Sequence, residues 1–504
     1  MTARPPLASR ETSAHEVHLR REIGLLGLVA TGVAAMVGVG VNILPFMVQR
    51  SQPGIGRWVP MAYLVAAVPA VLAAFCYAAL VSAMPRAGGS YVNVSRALNP
   101  FAGFIASFSQ WFGLCMAMGV VAYLLVPVIR DLLAVAGMAR AASILDLMVP
   151  RLVVSLVSIW LAWFVNLLGI RLYERSVVLM AALTMVAPVI MTAAGVLNAP
   201  QDAWTKLQAA ATVSLPNLVI PQMTLKAFLG TAVILFSSFI GFDAVAQAAG
   251  EARRPGDLAR AIMIAIGGVT IYYVCFTWSV YHALPAEYIY RVSLVHDVSA
   301  PGLMAPLLPR WLSLTILASV AVAILKVLPA LTMANSRTLY AFSADGILPG
   351  AFSRIHLRFR TPHYALTVTA LVASLCVLGC NLAGDFFLGV DLLVVSMLVN
   401  FLLMAGALLT FPLVNPELHR RITFLESRRS QVSIAIGAIL LLGALLVVQV
   451  VSDVSSTSPW YLKSTTSWLV AMSAACILFW RFWRRLTMKG LHPKEQIFGE
   501  LPPE

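Results

Sequence analysis

The chain has 504 residues, 60% of them hydrophobic and only 11% charged, with a mean hydropathy of +0.86. Soluble domains carry roughly 25% charged residues, so a water-soluble globule is excluded. The net charge of +14 does not signal nucleic acid either, because the basic residues flank apolar runs and no basic-aromatic module appears.

In chain order, residues 1–22 are polar and lack an apolar centre, which predicts a tail and no cleavable signal peptide. Twelve apolar runs follow, near the length of about 20 residues that a helix needs to cross hydrocarbon. They are 23–47, 59–81, 101–129, 152–168, 177–197, 227–249, 261–284, 311–339, 365–382, 386–413, 432–451 and 467–486, the last interrupted by Arg481. The fold class expected is therefore an all-α membrane protein with twelve transmembrane helices. The longest loops, 198–226, 285–310 and 340–364, are too short to hold a core of their own, and 487–504 reads as a second tail. With the N-terminus in the cytoplasm, 24 of the 35 Lys and Arg fall on that side, 10 on the other, and Lys326 lies inside a span. This positive-inside bias puts both termini in the cytoplasm and makes anionic membrane lipid the partner of the basic excess. The six cysteines all lie in or at the edge of apolar runs, so no disulfide framework is implied. Cys376 and Cys380, one turn apart without His or acidic neighbours, read as packing residues and not as a metal site.

Two of the runs carry their own breaking point. The first contains "AAMVGVGVNILPF", Ala34 to Phe46, where glycines, an asparagine and a proline weaken a helix. The sixth contains "FSSFIGFD", Phe236 to Asp243. Broken segments at corresponding positions of two halves point to inverted repeats. Five is an odd number, so two groups of five spans enter the membrane with opposite orientation and the breaks can meet at mid-depth. In hydrocarbon an unpaired peptide group costs several kcal/mol, so such breaks survive only where they line protein or a cavity. A half-helix beginning after a break offers N–H groups to an anion, and one ending before it offers carbonyls to a cation. Together they suit the shared carboxylate and ammonium of an α-amino acid. The implied organisation is a ten-helix core over 23–413, two additional helices over 414–486, and the two tails.

At these residues the sequence resembles the amino acid–polyamine–organocation (APC) transporter family. The likeness rests on "MVGVGVNILP" in span one and "MPRAGGSYVNVSRALNP", Met84–Pro100, after span two. It continues in "SSFIGFDAVAQAAGEARRPGDLARAI", Ser237–Ile262, and "SRTLYAFSADGILPGAFSRIHLRFRTP", Ser336–Pro362. The resemblance implies a five-plus-five inverted repeat with discontinuous helices one and six, and alternating access around a site between them. Carried over, Gly38, Val39 and Gly40 would offer N–H groups to a carboxylate. Met36 and Val37, with Phe236, Ser237, Ser238 and Phe239, would offer carbonyls to an amino group, and Gly241 belongs to the same break. Two departures stand out. Ser237 occupies a position where many members place a bulky aromatic lid, which Phe236 or Phe239 would have to replace. Asn42 stands where an apolar residue is usual, either lining the path or bonding a freed carbonyl.

Lys326 lies mid-helix, 15 residues after Trp311 and 11 before Arg337, too deep for its amine to reach either surface. Relatives that use sodium bind it between spans one and eight, and some proton-coupled members place a span-five lysine there; the matching span-five residue here is Thr184. Three readings follow for Lys326: a coupling residue standing in for the ion, a structural ammonium, or a substrate contact. Asp243 is either a carboxylate stabilised at a half-helix start or part of the solute or proton path. Asp391 is expected near the outer interface, as a helix-end or gating residue, and Gln110 and Trp111 as cavity residues. Glu251, Arg253, Arg254, Asp257 and Arg260 form a solvated loop or an inner gate. No catalytic residues, cofactor or metal are expected, and no GxxxxGK[ST] loop for ATP is present. The reading is a secondary transporter of amino acids in the cytoplasmic membrane, proton-coupled or an exchanger. The alternatives are a polyamine transporter and a transporter-like sensor or channel.

Overall fold

A computed structural model describes residues 23–86, 88–168, 187–197, 207, 220–356, 358, 359, 361–489 and 498. Eleven helical stretches among these are long and apolar enough to span a membrane. Of the fifth expected run only the helix Ala187–Leu197 falls within the described residues, so the count of twelve is not established; Thr184, residues 1–22 and, apart from Thr487–Lys489 and Phe498, the tail 487–504 also lie outside them.

Span one is two helices, α1 (Leu25–Met36) and α2 (Val39–Ser51), separated by Val37 and Gly38. Span two is α3 (Val59–Ala83), followed by the short α4 (Gly89–Ala97). Spans three and four are α5 (Pro100–Val135) and α7 (Met148–Leu168), joined through α6 (Ala139–Ile144); α8 is Ala187–Leu197. Span six divides into α9 (Leu225–Phe236), a 3₁₀ turn over Ser237–Phe239, and α10 (Ala244–Gln247). Span seven is α11 (Gly256–Ala283). The short α12 (Ala286–Val295) and α13 (Ala300–Met304) precede α14 (Arg310–Ala344), which is span eight. Spans nine to twelve are α15 (His363–Ala383), α16 (Phe387–Val414), α18 (Arg428–Val454) and α19 (Ser464–Met488), with α17 (Pro416–His419) between the middle two. Span one and span six, Leu25–Ser51 and Leu225–Glu251, are 27 residues each; spans two and seven, Gly56–Ala83 and Gly256–Ala283, are 28 each. The repeat is thus visible in matching lengths.

Local chemistry explains the element ends. Asn99 caps α5 by accepting from Ala102 N at 2.8 Å, with Pro100 at the first helical position. At 36 residues, about 54 Å at 1.5 Å per residue, α5 outruns the hydrocarbon and serves as the post on which α14, α15 and α16 pack. Small residues set that approach: a Cβ on Gly119 would lie 2.6 Å from Cys376 Cβ, and one on Gly113 would lie 2.7 Å from Ser396 Cβ. Cys376 and Cys380 are both buried in this seam.

The two breaks meet. Gly241 sits at φ +134°, and a Cβ there would fall 2.8–3.0 Å from the backbone of Ala35 and Met36. A Cβ on Gly40 would lie 2.9 Å from Ser238 Oγ. Near the chain's entry into span one, Ile23 N donates to Glu251 O (3.0 Å) and Arg253 N to Ile23 O (2.9 Å), a parallel bridge tying span one to the end of span six. Arg253, Arg254 and Arg260 are exposed beside it.

The opposite side is closed by an ion-pair network around the buried Asp297. Arg50 donates to its Oδ1 (2.9 Å) and to Ser293 O (2.6 Å), Arg151 donates to its Oδ2, and Arg130 donates to its backbone carbonyl (2.7 Å). Spans one, three and four are thereby joined to the segment between spans seven and eight. Burial acts to raise the Asp297 carboxyl, but the guanidinium charges of Arg151 and Arg50, with a smaller contribution from Arg130, hold it below the usual carboxylate range.

Gly241→Ala is expected to cost about 1–3 kcal/mol through backbone strain alone, read as a lower melting temperature in detergent. Asp297→Asn is expected to cost about 3–5 kcal/mol by stranding buried guanidinium charge. Because the Asp297 pKa is depressed in the folded state, its stabilisation is present above the ordinary carboxylate pKa and is lost as pH falls through the depressed value. The gap between wild type and Asp297→Asn melting temperatures should therefore hold at neutral pH and close only in strongly acidic buffer.

Candidate functional site

A cavity of about 580 Å³ lies at the crossing of the two breaks. Span one contributes Met36, Gly38, Val39 and Gly40; span six contributes Ser237, Ser238, Ile240, Gly241 and Asp243; span eight contributes Lys326. Apart from Thr31 and Gln247 the remaining wall is small or aliphatic, including Ala117, Val121, Ala330, Ala334 and Leu393, and none of the described lining residues is aromatic. From the breaks the cavity extends along Gly27, Ala30 and Ala34 of α1, towards the side from which span one enters the membrane. On the other side of the breaks Phe46 stacks on Tyr281 at 5.7 Å, and the Tyr281 hydroxyl donates to Pro45 O at 2.7 Å.

The first turn of α2 has no side-chain cap. Its amide groups at Gly38, Val39 and Gly40 therefore form an uncovered positive helix end on the cavity wall. Asn42, one turn further on, donates from Nδ2 to Gly38 O at 2.8 Å. Of the two readings for Asn42, the geometry is that of a side chain bonding a carbonyl at the break, the one on the residue that caps α2; it does not line the cavity.

The carbonyl groups freed by the breaks have a shared donor that the sequence reading did not single out. The Tyr273 hydroxyl on α11 stands 2.7 Å from Met36 O and 2.9 Å from Ser238 O. Tyr63 on α3 lies alongside, its hydroxyl 3.2 Å from Ser238 Oγ and 3.5 Å from Gly40 O. A tyrosine in the middle of an apolar span was the available signal, since its hydroxyl needs a partner in hydrocarbon. The identity of that partner depends on contacts over 237 residues.

Asp243 is buried on the cavity wall, its Oδ1 accepting from Gly241 N at 3.2 Å. Gln110 donates to Asp243 Oδ2 and accepts from Ser90 Oγ. Gln110 thus stands behind Asp243 and not on the wall, a correction to its expected place. Trp111 is also off the wall, buried and packed on Phe108 at 5.1 Å. Val37 is buried but does not line the cavity.

Neither phenylalanine in the span-six break stands as a lid. Phe236 packs on Phe401 at 6.1 Å, and Phe239 packs on Tyr273 at 5.3 Å and Tyr63 at 6.0 Å. Their backbones are pinned by the 3₁₀ turn, which directs Ser237, Ser238 and Ile240 to the cavity instead. Asp391 is likewise elsewhere. It lines a separate polar cavity of about 380 Å³ with Asp385, Gln449 and Asp453, while its neighbours Val390 and Leu393 reach the central one.

Lys326 is 6% exposed on the cavity wall. The next residue, Val327, has a methyl 3.8 Å from where a Gly38 Cβ would stand, so this turn of span eight faces the span-one break. The arrangement places an uncapped helix N-terminus, one carboxylate and one amine around a cavity whose other polar side chains are Thr31, Ser237, Ser238 and Gln247 and whose remaining wall is small or aliphatic. It has the parts to hold a small dipolar solute; no metal cluster of His, Cys, Asp or Glu occurs among the described residues.

Comparison with known proteins agrees with this architecture. The family profile described as amino acid permease matches residues 23–479. The branched-chain amino acid permease BcaP of Bacillus subtilis is 24% identical over 379 residues, covering 71% of this chain and 76% of that protein. The vacuolar cationic amino acid transporter 2 of Arabidopsis thaliana is 27% identical over 447 residues, 87% of this chain and 67% of that protein. A methylthioribose transporter of Bacillus subtilis is 22% identical over 431 residues, 82% and 86% respectively. With the profile running from the first span to the last, the chain belongs to the amino acid permease family within the APC transporters: it is a multi-pass membrane transporter of amino acids or related organic solutes, not an enzyme.

Proposed function

We propose that the protein is a secondary active transporter of small zwitterionic amino acids with apolar side chains, working by alternating access in the cytoplasmic membrane and driven by protons or by exchange. The observation that carries this reading is the pairing of the uncapped α2 N-terminus with the Met36 and Ser238 carbonyls on one cavity. The amides of Gly38, Val39 and Gly40 suit a carboxylate, an interaction worth up to about 2 kcal/mol in a partly buried site. The carbonyls of Met36 and Ser238, with those of Ser237 and Gly241 nearby, suit an ammonium. The aliphatic wall suits a side chain without charge, where burial contributes roughly 0.8 kcal/mol per methylene. Lys326 disfavours a cationic side chain by like-charge repulsion at close range.

The transport core over 23–413 and the two added helices over 414–486 follow from the repeat. The basic bias supports cytoplasmic termini, with lipid as the surrounding partner. In that orientation the cavity reaches towards the cytoplasm while the Asp297 network closes the outside. Lys326 takes the coupling role: an ammonium facing the span-one break where relatives hold an ion can stabilise that break when charged and release it when neutral. Asp243, with Gln110 behind it, belongs to the solute or proton path. Asn42 and Trp111 support the walls, and Asp391 belongs to the outer vestibule.

A second reading rests on Asp243, a carboxylate on the cavity wall that favours an amine lacking a carboxylate, such as a polyamine.

Reconstituted liposomes separate the readings. Labelled leucine should accumulate against its gradient when driven by a proton gradient or by preloaded amino acid. Equilibration without accumulation indicates a channel, binding without uptake a sensor, and putrescine uptake without leucine uptake the amine reading. In the same liposomes Lys326→Met should bind leucine within about threefold of wild type (about 0.7 kcal/mol) and lose the pH dependence of uptake. Unchanged pH dependence would remove the coupling role.

A further inference from the structure

Tyr273 does not line the cavity, yet its hydroxyl touches the two carbonyls that the breaks set free. In a continuous helix Met36 O would accept from the amide of Gly40, and Ser238 O from that of Phe242. The breaks remove those donors. Met36 is the last residue of α1, and Ser238 lies in the 3₁₀ turn that ends the first half of span six. Both carbonyls sit at negative helix ends turned towards one another, an arrangement that repels unless positive charge lies between them. The structure supplies it in the Tyr273 hydroxyl, whose oxygen lies 2.7 Å from one carbonyl oxygen and 2.9 Å from the other, so that its single hydrogen is shared between them.

The tyrosine has little freedom to move. Its ring packs on Tyr63 at 5.2 Å and Phe239 at 5.3 Å, and it is fully buried. The Thr277 hydroxyl donates to its carbonyl at 2.6 Å. A carbonyl oxygen has two acceptor sites. With Tyr273 on one site of each oxygen, the second remains for a donor arriving from the cavity, which both Met36 and Ser238 line.

We propose that Tyr273 is a positioning residue for the solute's ammonium: from behind the wall it sets the spacing and direction of the Met36 and Ser238 carbonyls, and so confers selectivity for an amino group. This rests on the reading that those carbonyls accept the solute's ammonium. Tyr272 provides the control, because it neighbours Tyr273 on the same helix while its own hydroxyl has no hydrogen-bond partner among the described residues.

The test compares L-leucine with 4-methylpentanoate, the same molecule without the amino group, by direct binding to purified full-length protein. In wild type leucine should bind more tightly. Tyr273→Phe should weaken leucine about tenfold or more and leave 4-methylpentanoate unchanged, so the ratio of the two affinities falls. Tyr272→Phe should leave the ratio at its wild-type value. Where the phenylalanine variant fails to fold, Tyr273→Met, which also lacks a donor and has a side chain flexible enough to refill the site, should give the same fall. A ratio unchanged in these variants, or an equal loss for both ligands, overturns the positioning role. A wild type that does not prefer leucine to 4-methylpentanoate overturns the functional reading itself, and is seen before any variant is made.

Discussion

The structure depends on one constraint: a peptide group in hydrocarbon must have a partner. Two spans violate the helical solution at mid-depth, and each violation is answered by the other or by a side chain placed for it. Gly241 at positive φ presses against the Ala35 and Met36 backbone, Asn42 covers Gly38 O, and Tyr273 serves Met36 O and Ser238 O. What stays uncovered is the amino end of α2, which faces the cavity. A break that was satisfied everywhere would be inert; leaving one helix end unfilled gives the site its polarity.

The surroundings are asymmetric in chemistry as well as in shape. On the far side, closure uses buried charge, with Asp297 drawing Arg50, Arg151 and Arg130 from three spans. Around the cavity the wall is made of small residues that allow close backbone approach, and the mouth towards the entry of span one is lined by Gly27, Ala30 and Ala34. Ion pairs hold through specific geometry and release as a set, whereas small apolar faces can slide against each other at low cost. The two sides therefore differ in what holds them: buried ion pairs on one, close-packed small residues on the other.

Most of the fold was legible because its signals are local. Apolar length located the spans, and capping chemistry such as Asn99-Pro100 marked a start. Helices ran past the expected edges where polar ends continue them, as α5 does to Val135. Glycine and serine placement marked both breaks, and the structure brings those residues together on one cavity with Lys326 and Asp243. Illegible were the features that depend on pairs remote in sequence. Tyr273 and Met36 are 237 residues apart, Arg50 and Asp297 are 247 apart, and no local pattern joins them. The misplacement of Gln110 and of the two phenylalanines has the same origin. Spacing along one helix gives a face, but which neighbour occupies that face is settled by packing.

The small bridge between Ile23 and the Glu251–Arg253 segment has a mechanical consequence. It rivets the root of the first broken helix to the tail of the second, so the two cannot swing apart like the leaves of a double door. A motion that widens the mouth while these two bonds hold carries both ends together.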